Sequence, residues 1–367
     1  MKICYLANTA IPSTNASAIQ ITKMCEAFSK LKNDVLLIST NVSSSNIFSF
    51  YDIKSKFKFE KIKYFKKFPL GIRFYIFSIL SIIKSFKFKP DIYITRNFFT
   101  CFLLTILRKK IIFELHHDLN TESRIVRFLV KYFDFLNSTC IKKIVGITEG
   151  VKKAYVKKYN VNKNKILVIP SGSSLKINFN FKHNKKKFKI GYFGSLYKSR
   201  GLNLIYELAK IDGENKYYIY GNIKNIKNSQ KNAAIKNLNL YDHIPYNKIS
   251  KTLSEMDILL IPYVSSITVA GDVSDITKYT SPLKLFDYLS AGKIIICSDY
   301  EVLKEVINEK KNAIFIKNYK NVFAWRNEIK KLKYQYNKQI IFSKNNYLLS
   351  KKYSLINRAN KILKEIV

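Results

Sequence analysis

Residues 281–299 read Ser-Pro-Leu-Lys-Leu-Phe-Asp-Tyr-Leu-Ser-Ala-Gly-Lys-Ile-Ile-Ile-Cys-Ser-Asp, and three of them mark the ends of a short helix. Ser281 suits the N-cap, Pro282 the first helical position, and Gly292 the residue after the helix end. The apolar run 294–297 is typical of a buried parallel strand. The pattern predicts a helix followed by a strand, with the unpaired N–H groups of the helix start available to a ligand.

A helix start of this kind can bind a nucleotide diphosphate, because its N–H groups and dipole attract phosphate. Asp287 lies one turn inside and can accept hydrogen bonds from both hydroxyls of a ribose. Lys284 lies three residues before it on the same face. The alternative is an ordinary amphipathic helix on which Leu285 and Leu289 face a core while Asp287 is solvated.

Composition limits the class of protein. The 367 residues are 47% hydrophobic, which is enough for two cored domains, and the formal charge is +40. Such a charge favours an anionic membrane or nucleic acid as a partner. Only eight of the 65 cationic side chains are arginine, the residue suited to bidentate base and phosphate contacts. Together with the lack of any nucleic-acid-binding motif, this argues against specific nucleic-acid binding.

The cysteines show neither Cys-x-x-Cys pairs nor metal-site spacing, which predicts reduced core thiols in a cytoplasmic protein: Cys4, Cys25, Cys101, Cys140 and Cys297. No metal site and no signal peptide are expected, and the apolar run 74–83 is too short to span a bilayer.

Apolar strand-like runs alternate with helical stretches in both halves of the chain, separated by the basic linker 176–187. This alternation predicts the α/β class, with a doubly wound parallel sheet in each half. The predicted strands are 2–7, 35–39, 91–96, 111–115, 144–148, 166–170, 188–194, 217–221, 257–262, 294–298 and 313–316.

Three segments resemble family-4 retaining glycosyltransferases. Residues 281–293 resemble that family's Ser-Pro-Leu-Lys-Leu-Phe-Glu-Tyr-Met-Ala-Ala-Gly-Lys, with Asp287 for the usual Glu. Residues 15–28 resemble its Asn-Ser-Ile-His-Val-Met-Lys-Met-Cys-Glu-Ala-Phe, and 353–359 its closing Tyr-Ser-Trp-x-x-Arg-Ala. The resemblance implies the GT-B fold, two Rossmann-like domains facing across a cleft. The acceptor-side domain would be 1–175 and the nucleotide-sugar domain 188–349, with a C-terminal helix, about 350–367, crossing back.

The resemblance also implies donor-binding residues in the second domain. The family's Gly-Arg-Leu, three residues, then Lys-Gly falls on residues 194–201, where Ser195 replaces the Arg and Arg200 stands at the Lys position. Arg200 would therefore stabilise the charge of the leaving diphosphate, and Lys198 is a candidate to compensate for the missing cation. The implied donor-binding set is Gly194, Ser195, Arg200, Ser281, Pro282, Leu283, Lys284 and Asp287.

In the first domain, the resemblance to the family's Glu-x-His makes His116 the second catalytic candidate, touching the donor sugar or the acceptor. His117 competes for that role, and Asp118 is a candidate to orient either ring. The alternative is that His116 is a structural residue. The first of the family's two spaced acids falls on Tyr279, and the flanking Asp272 and Asp275 are too far upstream to replace it.

The activity implied is transfer of a sugar, with retention, from a UDP- or GDP-linked donor to a glycan or lipid-linked acceptor. The pathway implied is cell-surface polysaccharide synthesis, of the lipopolysaccharide or capsule type, without a metal. Two alternatives stay open: a nucleotide-sugar epimerase of the same fold, and a non-catalytic basic membrane scaffold. The scaffold alternative stays open because Ser195, Tyr279 and Asp287 differ from the family's usual residues at these positions.

Residues 54–89 alternate lysine with aromatic and aliphatic side chains, a composition suited to an anionic bilayer surface. This segment predicts peripheral binding at the inner face of the cytoplasmic membrane. The alternative is that 74–83 is a core-facing helix. The cations concerned are Lys61, Lys63, Lys66, Lys67 and Arg73.

Overall fold

A computed structural model of the chain describes residues 1–41, 45–63, 68–179, 187–226, 235–267 and 275–366. The chain forms two compact units. The first comprises Met1–Ser171, Lys278–Ser281 and Leu355–Val367, and the second comprises Gly172–Thr277 and Pro282–Ser354. Each unit is built on a parallel sheet with helices, so the predicted α/β class is confirmed.

The first unit contains a seven-stranded parallel sheet in the order β3-β2-β1-β4-β5-β6-β7. Its strands are β1 (Lys2–Ala10), β2 (Asp34–Asn41), β3 (Lys58–Lys63), β4 (Ile92–Thr95), β5 (Ile111–Leu115), β6 (Ile141–Gly146) and β7 (Ile166–Val168). Its first six helices are α1 (Ala16–Lys30), α2 (Ile47–Phe50), α3 (Leu70–Ser85), α4 (Phe98–Ile106), α5 (Arg124–Phe133) and α6 (Glu149–Tyr159).

The second unit contains a six-stranded parallel sheet in the order β10-β9-β8-β11-β12-β13. Its strands are β8 (Lys189–Phe193), β9 (Lys216–Tyr220), β10 (Leu238–Tyr241), β11 (Ile258–Ile261), β12 (Ile294–Ser298) and β13 (Ala313–Ile316). Its helices are α7 (Leu202–Ile211), α8 (Tyr246–Ser254), α9 (Leu283–Ser290), α10 (Glu301–Lys304), α11 (Val322–Leu332) and α12 (Tyr336–Lys352).

The central strands are buried on both faces, which explains their uniformly apolar sequences. Every residue of β4, β5, β11 and β12 is buried, as is every residue of the edge strand β13. The strand order reverses between β1 and β4 in the first unit and between β8 and β11 in the second. Doubly wound sheets bind ligands beside the carboxyl ends of strands at such a reversal. Functional residues are therefore expected at the carboxyl ends of β1 and β4 and of β8 and β11.

The closing segment divides between two helices. The predicted single helix at about 350–367 is instead the end of α12 and a separate helix α13 (Leu355–Lys364). Helix α13 belongs to the first unit, where Leu355, Ala359 and Ile362 are buried in the same core as α1. Two strands, β3 and β10, were not predicted; most of their residues are partly or fully exposed, so neither shows a long apolar run.

Helix α3 is only partly a core helix. Phe77 and Ile82 are buried, whereas Ile79 and Ile83 are exposed by 48% and 58%. Lys61 and Lys63 lie on β3, while the predicted membrane-contacting residues 64–67 lie outside the described part of the chain. Over the described residues, no helix combines the length and apolarity needed to cross a membrane. The five cysteines are free thiols.

Candidate active site

The start of α9 differs from the predicted capping. Pro282 occupies the cap position and Leu283 is the first helical residue. The hydroxyl of Ser281 instead accepts a hydrogen bond from the Ser171 N–H at 3.0 Å, so the prediction of Ser281 as the N-cap was wrong. The predicted end is confirmed, because Gly292 follows the helix with φ +58°, a left-handed conformation suited to glycine.

Lys284 projects from the first turn of α9 into an aromatic environment. Its Nζ lies 3.9 Å from the centroid of the Tyr192 ring and 5.9 Å from that of Tyr263. The ammonium is buried and has no hydrogen-bond partner among the described residues. Burial first, and then the nearby Arg200, lower the pKa of Lys284 well below its usual value. A buried amine without a hydrogen-bond partner is energetically costly, which makes Lys284 a candidate anion-binding residue.

Gly194 makes room for that ammonium. Its φ is +139°, and a Cβ added there would lie 2.9 Å from the Nζ of Lys284. The hydroxyl of Tyr192 donates to the carbonyl of the exposed Ser195 at 2.7 Å, which holds the turn after β8 against the ring under Lys284. The backbone of this turn, rather than the Ser195 side chain, is therefore what shapes the site.

Arg200 reaches the same place from the other side of the turn. It ends a 3-10 turn, Lys198–Arg200, and its Cζ lies 5.2 Å from the centroid of the Tyr263 ring. Gly201 follows with φ +81°, and a Cβ there would lie 1.7 Å from the Pro262 carbonyl oxygen. Only glycine permits that approach, which brings the turn against the end of β11. Lys198 starts the turn and is exposed.

Asp287 lies on the next turn of α9, where its Oδ1 accepts a hydrogen bond from the Ser173 hydroxyl at 2.6 Å. Burial raises the pKa of Asp287 to about 6, against the opposing effect of the Ser173 hydrogen bond. The Ser173 oxygen also accepts from the Leu175 N–H at 3.1 Å, so its hydroxyl proton is directed to the carboxylate. The carboxyl retains a second oxygen, Oδ2, as an acceptor for a ligand hydroxyl.

Tyr288 joins α9 to the sheet, because its hydroxyl accepts the Phe193 N–H at the end of β8 at 2.9 Å. This bond explains how Lys284 comes to lie over Tyr192, one residue earlier on the same strand. Together, Arg200 and Lys284 bring two cations to the reversal between β8 and β11. A phosphate or diphosphate suits that charge and position.

Residues 189, 257 and 294 line a cavity of about 530 Å³ elsewhere in the second unit. They lie at the amino ends of β8, β11 and β12, the opposite edge of the sheet from Arg200 and Lys284. Across the described ranges, no three His, Cys, Asp or Glu side chains are grouped so that they could hold a metal.

In the first unit, His116 follows β5, at the edge where ligands bind in such sheets. Its Nε2 lies 3.8 Å from Oε2 of the buried Glu114. Burial first, then the charge of Arg96, lower the pKa of His116 to about 3, so the imidazole is neutral at physiological pH. His117 points to a different carboxylate, with its Nε2 2.8 Å from Oε1 of Glu122. The two rings therefore have separate surroundings.

Asp118 has other partners. Its carboxylate accepts hydrogen bonds from Lys158 Nζ at 2.7 Å, Tyr159 at 2.6 Å and Tyr279 at 3.0 Å. Burial alone would raise the pKa of Asp118, but these donors hold it at about 2. The carboxylates beside the two imidazoles are Glu114 and Glu122, and Asp118 is part of a separate cluster.

Tyr279, which stands at the family's first acidic position, therefore serves as a donor to Asp118 rather than as an acid. Asp275 accepts from the N–H of Thr277 at 2.8 Å, and Asp272 lies outside the described residues.

Sequence reasoning missed the group around Glu114. Its Oε2 accepts from the Tyr5 hydroxyl at 2.5 Å and from Arg96 Nε at 2.9 Å, and its Oε1 lies 2.9 Å from Arg358 Nη1. Glu114 belongs to the Glu-x-His segment and Arg358 to the closing motif. Those segments lie far apart along the chain, so spacing held no signal that the two side chains meet.

Two family models match adjoining parts of the chain. "Glycosyltransferase Family 4" matches residues 18–176, and "Glycosyl transferases group 1" matches residues 173–349. With the two doubly wound sheets, these matches define a glycosyltransferase of the GT-B type, and the predicted enzyme class is confirmed. The chain belongs to glycosyltransferase family 4, as the sequence motifs indicated.

Solved structures share the fold at low sequence identity. A Rickettsia africae glycosyltransferase is 15% identical with a TM-score of 0.72, over 100% of this chain and 98% of its own. Sucrose-phosphate synthase from Thermosynechococcus elongatus is 10% identical with a TM-score of 0.74, with the same coverage of both chains. Anabaena Alr3699/HepE in complex with UDP-glucose is 12% identical with a TM-score of 0.72, over 100% and 99%. No curated protein sequence matches the chain significantly.

Proposed function

We propose that the protein transfers a hexosyl group, with retention of configuration, from a UDP- or GDP-sugar to a glycan or lipid-linked acceptor of a cell-surface polysaccharide. The observation that carries this proposal is the buried ammonium of Lys284, which lacks a hydrogen-bond partner in the described residues and lies beside Arg200. A diphosphate supplies the negative charge that complements the Lys284 ammonium.

The other groups of the second unit fit the same donor. The carboxylate of Asp287 suits the two ribose hydroxyls, and the absence of a side chain at Gly194 lets the Lys284 ammonium reach the turn after β8. Arg200 and Lys284 stabilise the charge that grows on the diphosphate as the glycosidic bond breaks, so no metal is required. The Anabaena relative, whose structure contains UDP-glucose, supports a nucleotide-sugar donor.

His116 is the group that we assign to the reacting sugar. It is neutral, its ring is partly exposed at the carboxyl end of β5, and its buried Nε2 has no hydrogen-bond partner among the described residues. A neutral imidazole can donate a hydrogen bond to a sugar or acceptor hydroxyl without placing a charge there.

A panel of UDP- and GDP-sugars, read by thermal shift and then by product analysis, tests the proposal. We expect one donor to raise the melting temperature and the transferred sugar to keep its anomeric configuration by NMR. An epimerised sugar nucleotide would identify an epimerase. Binding of no donor at all would contradict the proposal and favour a scaffold.

We also propose that the enzyme works at the inner face of the cytoplasmic membrane, bound through an apolar surface of the first unit. Helix α5 buries Val126 and Val130 and exposes the opposite face. Helix α3 buries Ser78, Ser81 and Ser85 and exposes three of its isoleucines on another face. We define the apolar surface as Ile72, Ile79, Ile83, Ile125, Phe128, Tyr132 and Phe133, each between 45% and 63% exposed.

The positive charge of the protein indicates which partner binds this apolar surface. Such a group of exposed apolar side chains indicates a binding surface, and the +40 formal charge makes an anionic bilayer its electrostatic complement. The Lys131 ammonium lies 5.2 Å from the Tyr132 ring centroid, so a cation stands beside the exposed rings. The two helices are joined, since the Tyr75 and Ser123 hydroxyls lie 3.0 Å apart.

Liposome sedimentation tests this docking. The protein should pellet with anionic vesicles, should not pellet with neutral ones, and should be released by salt. Phe128→Ser with Tyr132→Ser should abolish pelleting, because both rings leave the interface. Tyr334→Ser is the matched control, because Tyr334 is 88% exposed in the second unit. An equal loss in the control would show that binding does not depend on this apolar surface.

A further inference from the structure

The group around Glu114 carries more positive than negative charge. Arg96 and Arg358 both lie 2.9 Å from the one carboxylate, and His116 beside it is neutral. The described contacts of this group contain no second acid to balance the second arginine. An arginine charge left uncompensated in a buried site is costly, so a counter-ion is expected.

The two arginines of this group also have guanidinium N–H groups without hydrogen-bond partners in the described part of the chain. Arg96 uses Nε for Tyr5 and Glu114, and Arg358 uses Nε for the Pro170 carbonyl at 3.1 Å. Arg96 Nη2 and Arg358 Nη2 are buried and have no hydrogen-bond partner in the described part of the chain. The side chain of Arg358 is only 2% exposed, so bulk water does not satisfy these donors.

The position of the group favours a ligand rather than a purely structural role. Arg96 follows β4, Glu114 is the penultimate residue of β5 and Tyr5 lies on β1, so the group adjoins the reversal between β1 and β4. That is the edge where a doubly wound sheet binds ligands. Arg96 and His116 each keep part of the side chain exposed, at 16% and 19%, which provides the approach.

We propose that Arg96 and Arg358 form an oxyanion site of the first unit, which binds a phosphate or carboxylate group of the acceptor substrate. The guanidinium N–H pairs match the two oxygens of such a group. Glu114, held by Tyr5, positions both guanidiniums. The proposal rests on the proposed function only in naming the acceptor as the source of the anion.

Isothermal titration with inorganic phosphate and with D-glucuronate, in saturating UDP, tests the site. UDP occupies the cations of the second unit, so the remaining binding reports on the first. We expect binding of at least one probe and none of neutral D-glucose. Arg96→Gln should weaken that binding about tenfold or more, because charge-assisted hydrogen bonds are lost. Binding of one probe alone identifies the group as phosphate or carboxylate.

Matched variants guard against a folding effect. Arg127→Gln removes an exposed arginine of the same unit and should leave phosphate binding unchanged. Arg96→Lys keeps the charge but loses the paired N–H groups, so it should fall between wild type and Arg96→Gln. The melting temperature and UDP affinity of each variant are measured alongside.

Two results would overturn the site: no binding of either probe to the wild type, or equal binding to Arg96→Gln. Failure of the wild type to bind UDP or GDP would instead contradict the proposed function. In that case, the difference in probe binding between wild type and Arg96→Gln still reports on the first unit, because the second unit is identical in both proteins.

Discussion

Replacing Lys284 with methionine separates stability from donor binding. The buried Lys284 amine has no hydrogen-bond partner among the described residues, and leaving a buried polar group unpaired costs about 1–3 kcal/mol, and more when the group is charged. Its contact with Tyr192, at 3.9 Å, offsets about 1–2 kcal/mol of that cost, and repulsion from Arg200 adds to it. Methionine keeps the length of the chain and its contact with the ring.

Lys284→Met should therefore raise the free energy of unfolding by about 1 kcal/mol, or the melting temperature by roughly 2–4 °C. The same change should weaken UDP or GDP binding by about 10-fold to 100-fold, because a charge-assisted hydrogen bond to phosphate is lost. Scanning fluorimetry measures the first effect and calorimetry the second. Lys210→Met, an exposed position on α7, is the control and should change neither.

The stability gain also has a pH signature. Because the pKa of Lys284 is lower in the folded protein than in the unfolded chain, the unfolded state binds more protons above the folded pKa. The free energy of unfolding of the wild type therefore rises with pH between the folded and the unfolded pKa of Lys284. Over the same range, the difference in unfolding free energy between Lys284→Met and the wild type becomes smaller. A destabilised Lys284→Met protein that binds nucleotide at wild-type affinity would refute the anion-site assignment.

Three further substitutions test the remaining groups. Asp287→Ala should lower kcat/KM, with a loss of about 2–4 kcal/mol in transition-state binding. The donor affinity of the wild type should rise from pH 5 to 7, because the Asp287 carboxyl, with its pKa of about 6, ionises in that range. Asp287→Asn should lose that pH dependence. Arg200→Ala should lower kcat more than donor affinity in steady-state assays, since the diphosphate charge grows in the transition state. Arg200→Lys should have a smaller effect. An equal loss of kcat in Lys210→Ala would exclude this role. His116→Ala should abolish transfer and spare UDP binding by calorimetry, whereas His117→Ala should be mild; the reverse ranking would transfer the role to His117.

Much of the fold followed from local patterns. The strand 294–298, the helix before it and the glycine that ends that helix were all predicted, because a capped, buried helix–strand pair carries its own signals. The strands that were missed, β3 and β10, have partly exposed faces, so tertiary pairing rather than their own hydrophobicity defines them.

The candidate donor site was predicted only in part. Arg200, Lys284 and Asp287 were selected from motif positions, but the rings of Tyr192 and Tyr263 beside the two cations were not. A tyrosine in a strand has the same sequence pattern whether it packs a core or lies under a ligand site. Ser281 was assigned wrongly because its hydroxyl accepts the N–H of Ser171, 110 residues away along the chain, and the helix cap falls on Pro282.

The sequence by itself determined the α/β alternation in both halves of the chain and the family, because these depend on the period of apolar residues and on short contiguous motifs. The tertiary structure alone decided the charges and partners of the site. Glu114 holds Arg96 and Arg358 across gaps of 18 and 244 residues, and that contact sets which guanidinium N–H groups stay unpaired. A pKa or an unpaired donor depends on what surrounds a group in space, and residues far apart along the chain supply those surroundings.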